Sequence, residues 1–138
     1  MENAVKFIIG IGGGIASFLF GGWSALIQTL LFFIILDYVF AVLVAISYGE
    51  VSSKKGFRGI AKKVAILIVV AVAHRLDLVL ADVNILDGNL IRDTVIFFYL
   101  ANETFSIIET ASKTNLPIPG VLRKAVGALN QKGGEQND

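Results

Sequence analysis

The sequence predicts an all-α integral membrane protein, and three observations carry that reading. Of 138 residues, 55% are hydrophobic and only 17% are charged, against about 25% charged in an ordinary soluble domain. Residues 7–36 contain no charged side chain at all. Five cations, Lys54, Lys55, Arg58, Lys62 and Lys63, then crowd into one short segment. The expected architecture is about four transmembrane helices, at 4–20, 24–48, 64–81 and 90–108, reduced to three if the first arm is re-entrant. Residues 1–110 form the transmembrane domain. Residues 111–138 form a cytoplasmic tail with a short interfacial amphipathic helix.

The same arithmetic excludes several classes. A mean hydropathy of +0.74 is incompatible with disorder over most of the chain. A net charge of +1 does not suit a nucleic-acid binder. With no Cys there is no disulfide framework or thiolate chemistry, and one His gives a His-rich metal site or a Ser-His-Asp triad almost no material. No catalytic, metal-binding or cofactor-binding residues are expected.

Residues 7–36 as one helix would be about 45 Å long, more than the roughly 30 Å of a bilayer core. The natural hinge is Gly21-Gly22-Trp23-Ser24, where glycines free the backbone and Trp23 suits a membrane interface. The result is a helical hairpin with a short first arm and a long second one. A cleaved signal peptide fits residues 1–20 less well, because the amino end is barely basic and no small-x-small site leads into a soluble domain.

Glu50 to Lys63 reads as a basic loop and belongs in the cytoplasm by the positive-inside rule. Val64 to Ala81 is a third apolar segment. Asp82 to Asn89 is a turn without a cation and belongs outside. Leu90 to Ile108 is a fourth, amphipathic segment, with Arg92, Tyr99, Asn102, Ser106 and Glu109 on one stripe and Ile91, Val95, Phe98, Phe105 and Ile108 opposite. Pro117 and Pro119 break the chain. Val121, Leu122, Ala125, Val126 and Leu129 then give the tail helix an apolar face suited to an anionic membrane surface, and Gly133 to Asp138 reads as a frayed end. Charge placement thus puts both termini in the cytoplasm.

In lipid, helices associate through small residues and polar contacts. The first arm offers Gly10, Gly14, Ser17 and Gly21, the second Ala41 and Ala45 on the face of Asp37, and the third Ala73. Packing within one subunit and between subunits are both open to these stripes. Asp37, Arg75, Asp77 and Glu103 fall inside predicted spans, where a charge costs about 2.5–3.5 kcal/mol and must pair or meet water. They are the candidates for ion pairing or for a pore lining.

These features together resemble the small bacteriophage holins grouped with toxin-secretion holins, over about residues 22–125. The resemblance rests on Gly22-Trp23 before an apolar arm, Leu36-Asp37-Tyr38, and Val51-Ser-Ser-Lys-Lys-Gly-Phe-Arg-Gly-Ile-Ala-Lys-Lys63. It continues through Phe98-Tyr-Leu-Ala-Asn102-Glu103, Ser106-Ile-Ile-Glu109 and Leu116-Pro-Ile-Pro119. Thr110 departs from the Asn often found there. The resemblance implies a protein of the bacterial cytoplasmic membrane that forms homo-oligomers and opens a lesion. An endolysin or a large toxin then passes, without needing to touch it. Lipid and further copies of the chain are the expected partners. Two other readings share the size and the membrane carboxylates: a small multi-span transporter or channel, and an adaptor whose basic loop and tail dock a cytoplasmic partner.

Overall fold

Backbone punctuation sets the helix boundaries. The computed structural model describes residues 1–135, with five helices: α1 (Glu2–Phe20), α2 (Ala25–Ser47), α3 (Ser53–Asp82), α4 (Leu90–Lys113) and α5 (Gly120–Glu135). The Gly hinge forms as expected. Gly21, at φ 78°, and Gly22 both donate their N–H groups to the Ser17 carbonyl and close α1. Ser24 then caps α2 by accepting from the Ile27 N–H.

One boundary differs substantially. The basic segment expected as a loop is mostly helix, because Ser52 accepts from the Lys55 N–H and starts α3 at once. Lys54, Lys55, Arg58, Lys62 and Lys63 therefore ride on the first turns of α3. Its 30 residues make it about 45 Å long. The only loop left between α2 and α3 is residues 48–52. The tail helix also runs further than expected, through Gly133 and Gly134 to Glu135. Residues 136–138 and the side chains of Val126 and Leu129 lie outside the described set. Val121, Leu122 and Ala125 are exposed.

Helices α2, α3 and α4 form a bundle. At one end, the α1–α2 hinge, the end of α3 and the start of α4 meet, as the contacts of Arg92 and Asp77 below require. At the other, the Tyr48 hydroxyl donates to the Lys113 carbonyl and ties the ends of α2 and α4 together. So α2 and α4 run in the same direction and α3 runs against them. The core contains Phe20, Ile27, Leu30, Ile34, Val70 and Ile96. Steps of three and four residues trace the inner face of each helix: 27, 30, 34, 37 on α2 and 92, 96, 99, 103, 106, 110 on α4.

The outside is apolar. Phe32, Ile35, Val39, Leu43 and Ile46 of α2, Ile68, Val72 and Val79 of α3, and Phe97, Phe98 and Phe105 of α4 are exposed. A soluble monomer rarely shows such a surface; a bilayer provides the matching solvent. Helices α1, α2 and α3 are each long and apolar enough to cross a membrane. Helix α4 has the length, but Arg92, Asp93, Glu103, Glu109 and Lys113 keep it from qualifying by hydropathy. The chain is a membrane protein with three span-capable helices among the described residues; the sequence predicts four, or three without the first arm, whereas here α1 qualifies and α4 does not.

Candidate functional site

The charges inside the bundle separate into two clusters. The first joins three helices. Lys63 Nζ donates to Asp37 Oδ2 at 2.5 Å and to both oxygens of Glu103, at 2.8 and 2.6 Å. Asp37 comes from α2, Lys63 from α3 and Glu103 from α4. Both carboxylates are nearly inaccessible and the lysine side chain is 20% exposed. Two carboxylates share one ammonium, and Asp37 Oδ1 is buried without a hydrogen-bond partner. Such a cluster holds while packed, since breaking one partner away strands the others in a poorly solvating interior.

The sequence signalled both acids and mistook the base. Lys63 counts there as a topology-loop cation. In the structure it opens the inward stripe 63, 66, 70, 73, 77 of α3, half-buried at 63 and 66 and buried from 70 on. That three-and-four spacing was the available signal. Arg75, expected as an ion-pairing or pore-lining charge, is exposed and stacks instead on Phe18, its guanidinium carbon 4.1 Å from the ring centre.

The second cluster lies at the hinge end. The side chain of Asn89 does not cap α4. Instead Asp77, from α3, accepts from the backbone N–H groups of Ile91 and Arg92 at 3.0 and 2.8 Å, placing an anion at the positive end of a helix. Arg92, expected on a polar stripe, is buried and turns toward α1. Its Nη1 donates to the carbonyls of Phe20 and Gly21, both at 3.1 Å, while Nε and Nη2 hold Asp93 Oδ1. One arginine thus caps α1 and fixes it to α4. His74 packs into the same corner, buried and with Nδ1 unpartnered. A Cβ at Gly21 would lie 2.6 Å from the His74 ring and 2.8 Å from Arg92 Nη1. Neither His74 nor Thr110, both buried, stands out in the sequence as a site residue.

The remaining stripe on α4 turns partly inward. Tyr99 packs against the core and Ser106 lies beside Asp37 and Lys63, whereas Asn102 and Glu109 are exposed. The small-residue stripes divide too. Ala73 is buried and Ala45 half-buried, but Ala41 and Ser17 are exposed, and a Cβ at Gly10 or Gly14 would meet nothing within 4 Å. The glycine face of α1 is open. Among the described residues no group of three or more His, Cys, Asp and Glu could hold a metal.

A family model described as the bacteriophage holin family matches residues 14–131. An uncharacterized protein of Listeria monocytogenes is 44% identical over the whole chain and 95% of its own length. A 14.9 kDa uncharacterized protein of Clostridium perfringens is 37% identical, over 96% of this chain and 99% of its own. A probable holin of Bacillus phage phi105 is 34% identical over 64% of this chain and 62% of its own. No solved structure matches.

Proposed function

The chain belongs to the bacteriophage holin family, and from that premise we propose that it is a pore former that oligomerises in the bacterial cytoplasmic membrane. Its opening lets an endolysin, or a secreted toxin, pass. The observation that carries this reading is the Asp37–Lys63–Glu103 cluster, closed among three helices whose other faces are apolar. While the helices pack together, the ammonium satisfies most of the demand of the two carboxylates and the bundle can reside in lipid. Once neighbouring copies draw the helices apart, the same three groups need water and line an aqueous lesion. The unpartnered Asp37 Oδ1 marks where that demand is already unmet.

In this reading α4 is the fourth crossing: Arg92 and Glu103 lie inside the bundle, and Phe97, Phe98 and Phe105 face the acyl chains. The basic end of α3 and both termini lie in the cytoplasm, as the cation bias asks. Charges that shift across the field on opening contribute about 2.3 kcal/mol per charge per 100 mV, which makes opening depend on membrane potential.

Induced expression in a bacterium tests the proposal. A pore former stops growth and depolarises cells abruptly, and a co-expressed endolysin then lyses them. Membrane-inserted protein that leaves potential and dye exclusion untouched would sink it. Resistance to a toxic substrate without lysis would point to a transporter instead, and neither effect to an adaptor.

A further inference from the structure

Lys54, Lys55, Arg58 and Lys62, on the first turns of α3, have no carboxylate within salt-bridge distance among the described residues. They divide by face. Lys55 and Lys62 border a groove of about 390 Å³ between the C-terminal half of α2 and the start of α3, whereas Lys54 and Arg58 lie outside it.

The two walls differ in chemistry. Along α2 the groove is lined by Ala41, Val42 and Ala45, small or apolar residues that leave room for a chain. Along α3 it is cationic. Gly56 and Gly59 let the Tyr38 ring close the inner end: a Cβ at Gly59 would lie 3.3 Å from that ring. The floor holds Asp37, Lys63 and Ser106, and Lys63 is already committed to two carboxylates. Among the lining residues, only Glu50 offers a carboxylate besides that floor. On the outer side of the same helix start, Phe57 and Ile60 are exposed among the cations, the pattern of a segment seated in a headgroup layer.

We propose that this groove binds one anionic phospholipid, with its phosphate between Lys55 and Lys62 and an acyl chain along Ala41, Val42 and Ala45. The inference rests on the membrane-embedded reading above, with the basic end at the anionic cytoplasmic leaflet. Charge complementarity selects the occupant. The cationic α3 wall asks for an anion and the Ala41, Val42 and Ala45 wall for a hydrocarbon, and an anionic phospholipid joins the two in one molecule. A peptide strand would bring backbone N–H and C=O groups that the apolar α2 wall cannot satisfy. Basic pockets between helices on the cytoplasmic side are suited to anionic headgroups on these grounds.

The test uses the full chain reconstituted in phosphatidylcholine vesicles, with spin-labelled phosphatidylglycerol or phosphatidylcholine as probe. The expected result is a larger motionally restricted fraction for phosphatidylglycerol. The double variant Lys55→Gln/Lys62→Gln lowers that preference roughly tenfold or more. Lys54→Gln/Arg58→Gln, which removes equal charge outside the groove, leaves it unchanged. Ala45→Trp, which fills the α2 side, abolishes it while the cations remain. No preference for phosphatidylglycerol, or equal loss in both double variants, overturns the proposal. Displacement of the probe by millimolar inorganic phosphate does so too, because a free anion would then be the ligand. Vesicle flotation separates the two readings. A chain that does not float overturns the membrane reading and the groove with it; a floating chain without lipid preference overturns the groove alone.

Discussion

Lys63 has two carboxylate partners and no substitute, which makes it the most informative single residue. Lys63→Met leaves Asp37 and Glu103 facing each other in the bundle interior without a counter-charge. Removing one partner of a buried ion pair costs about 3–5 kcal/mol, so this variant should unfold at markedly lower temperature or denaturant in detergent. The triple change Asp37→Leu/Lys63→Met/Glu103→Leu replaces the whole cluster by apolar groups of similar size. Such replacements are often neutral or stabilising, by about 1–4 kcal/mol. It should therefore restore a folded, membrane-inserted chain. If the cluster supplies the water-demanding lining, that chain should fail to depolarise cells on induction. Normal depolarisation by the triple variant would assign the cluster a purely structural role. At the hinge, Gly21→Ala meets both a φ of 78° and the His74 ring at 2.6 Å. It should lower the unfolding midpoint more than Gly22→Ala, which meets the backbone strain of φ 108° but places its Cβ in open space.

The sequence announced the acids of this site because a carboxylate in an uncharged stretch stands out. It did not announce the base, because Lys63 sits among four other cations whose common reading is topology. Only the helical register continuing backward from Asp77 through Ala73, Val70 and Ile66 distinguishes it. That register becomes visible once Ser52, rather than Val64, is known to start the helix. Arg75 shows the opposite limit. Its presence in an apolar span was plain, but which side of α3 it occupies depends on where α1 and α4 pack.

At the scale of elements, α1 and α4 are each incomplete in a single copy. Helix α1 buries only Phe20 and meets the bundle near its C-terminal end, so most of its length faces outward. Its open glycine face is the strongest remaining place for helix–helix contact between subunits. Gly10→Leu/Gly14→Leu should not destabilise the single copy, because both side chains enter open space and Leu is the stronger helix former. If subunits meet there, the same variant should lose cross-linked oligomers. Unchanged cross-linking ladders would place the interface elsewhere. Helix α4 carries its polarity inward. Its exposed Phe97, Phe98 and Phe105 are the apolar side that the proposed fourth crossing would turn to lipid. Cysteines introduced singly at Phe98 and Ser106 test this. With the lesion closed, neither should react with a membrane-impermeant thiol reagent; after triggering, only the Ser106→Cys side should become reactive.

At the scale of the whole molecule, two ends are built differently, and in the proposed topology that difference sets direction. The hinge end is held by Asp77 on the α4 backbone and Arg92 on the α1 carbonyls, so its charges are engaged internally. The opposite end carries Lys54, Lys55, Arg58 and Lys62 without carboxylate partners among the described residues. Cations that are free to meet an anionic leaflet and resist translocation are the ones that fix orientation. Lys63 contributes little to this, because its charge is already spent on Asp37 and Glu103. Changing all four free cations to Gln should therefore produce mixed or inverted insertion, read by reporters fused to the two termini. Lys63→Gln should keep the parent orientation while destabilising the bundle. The reverse pattern, with Lys63 governing orientation and the other four silent, would mean that the cluster forms only after the chain has chosen its direction. The three-helix ion cluster would then be a late step of assembly rather than a property of the inserted bundle.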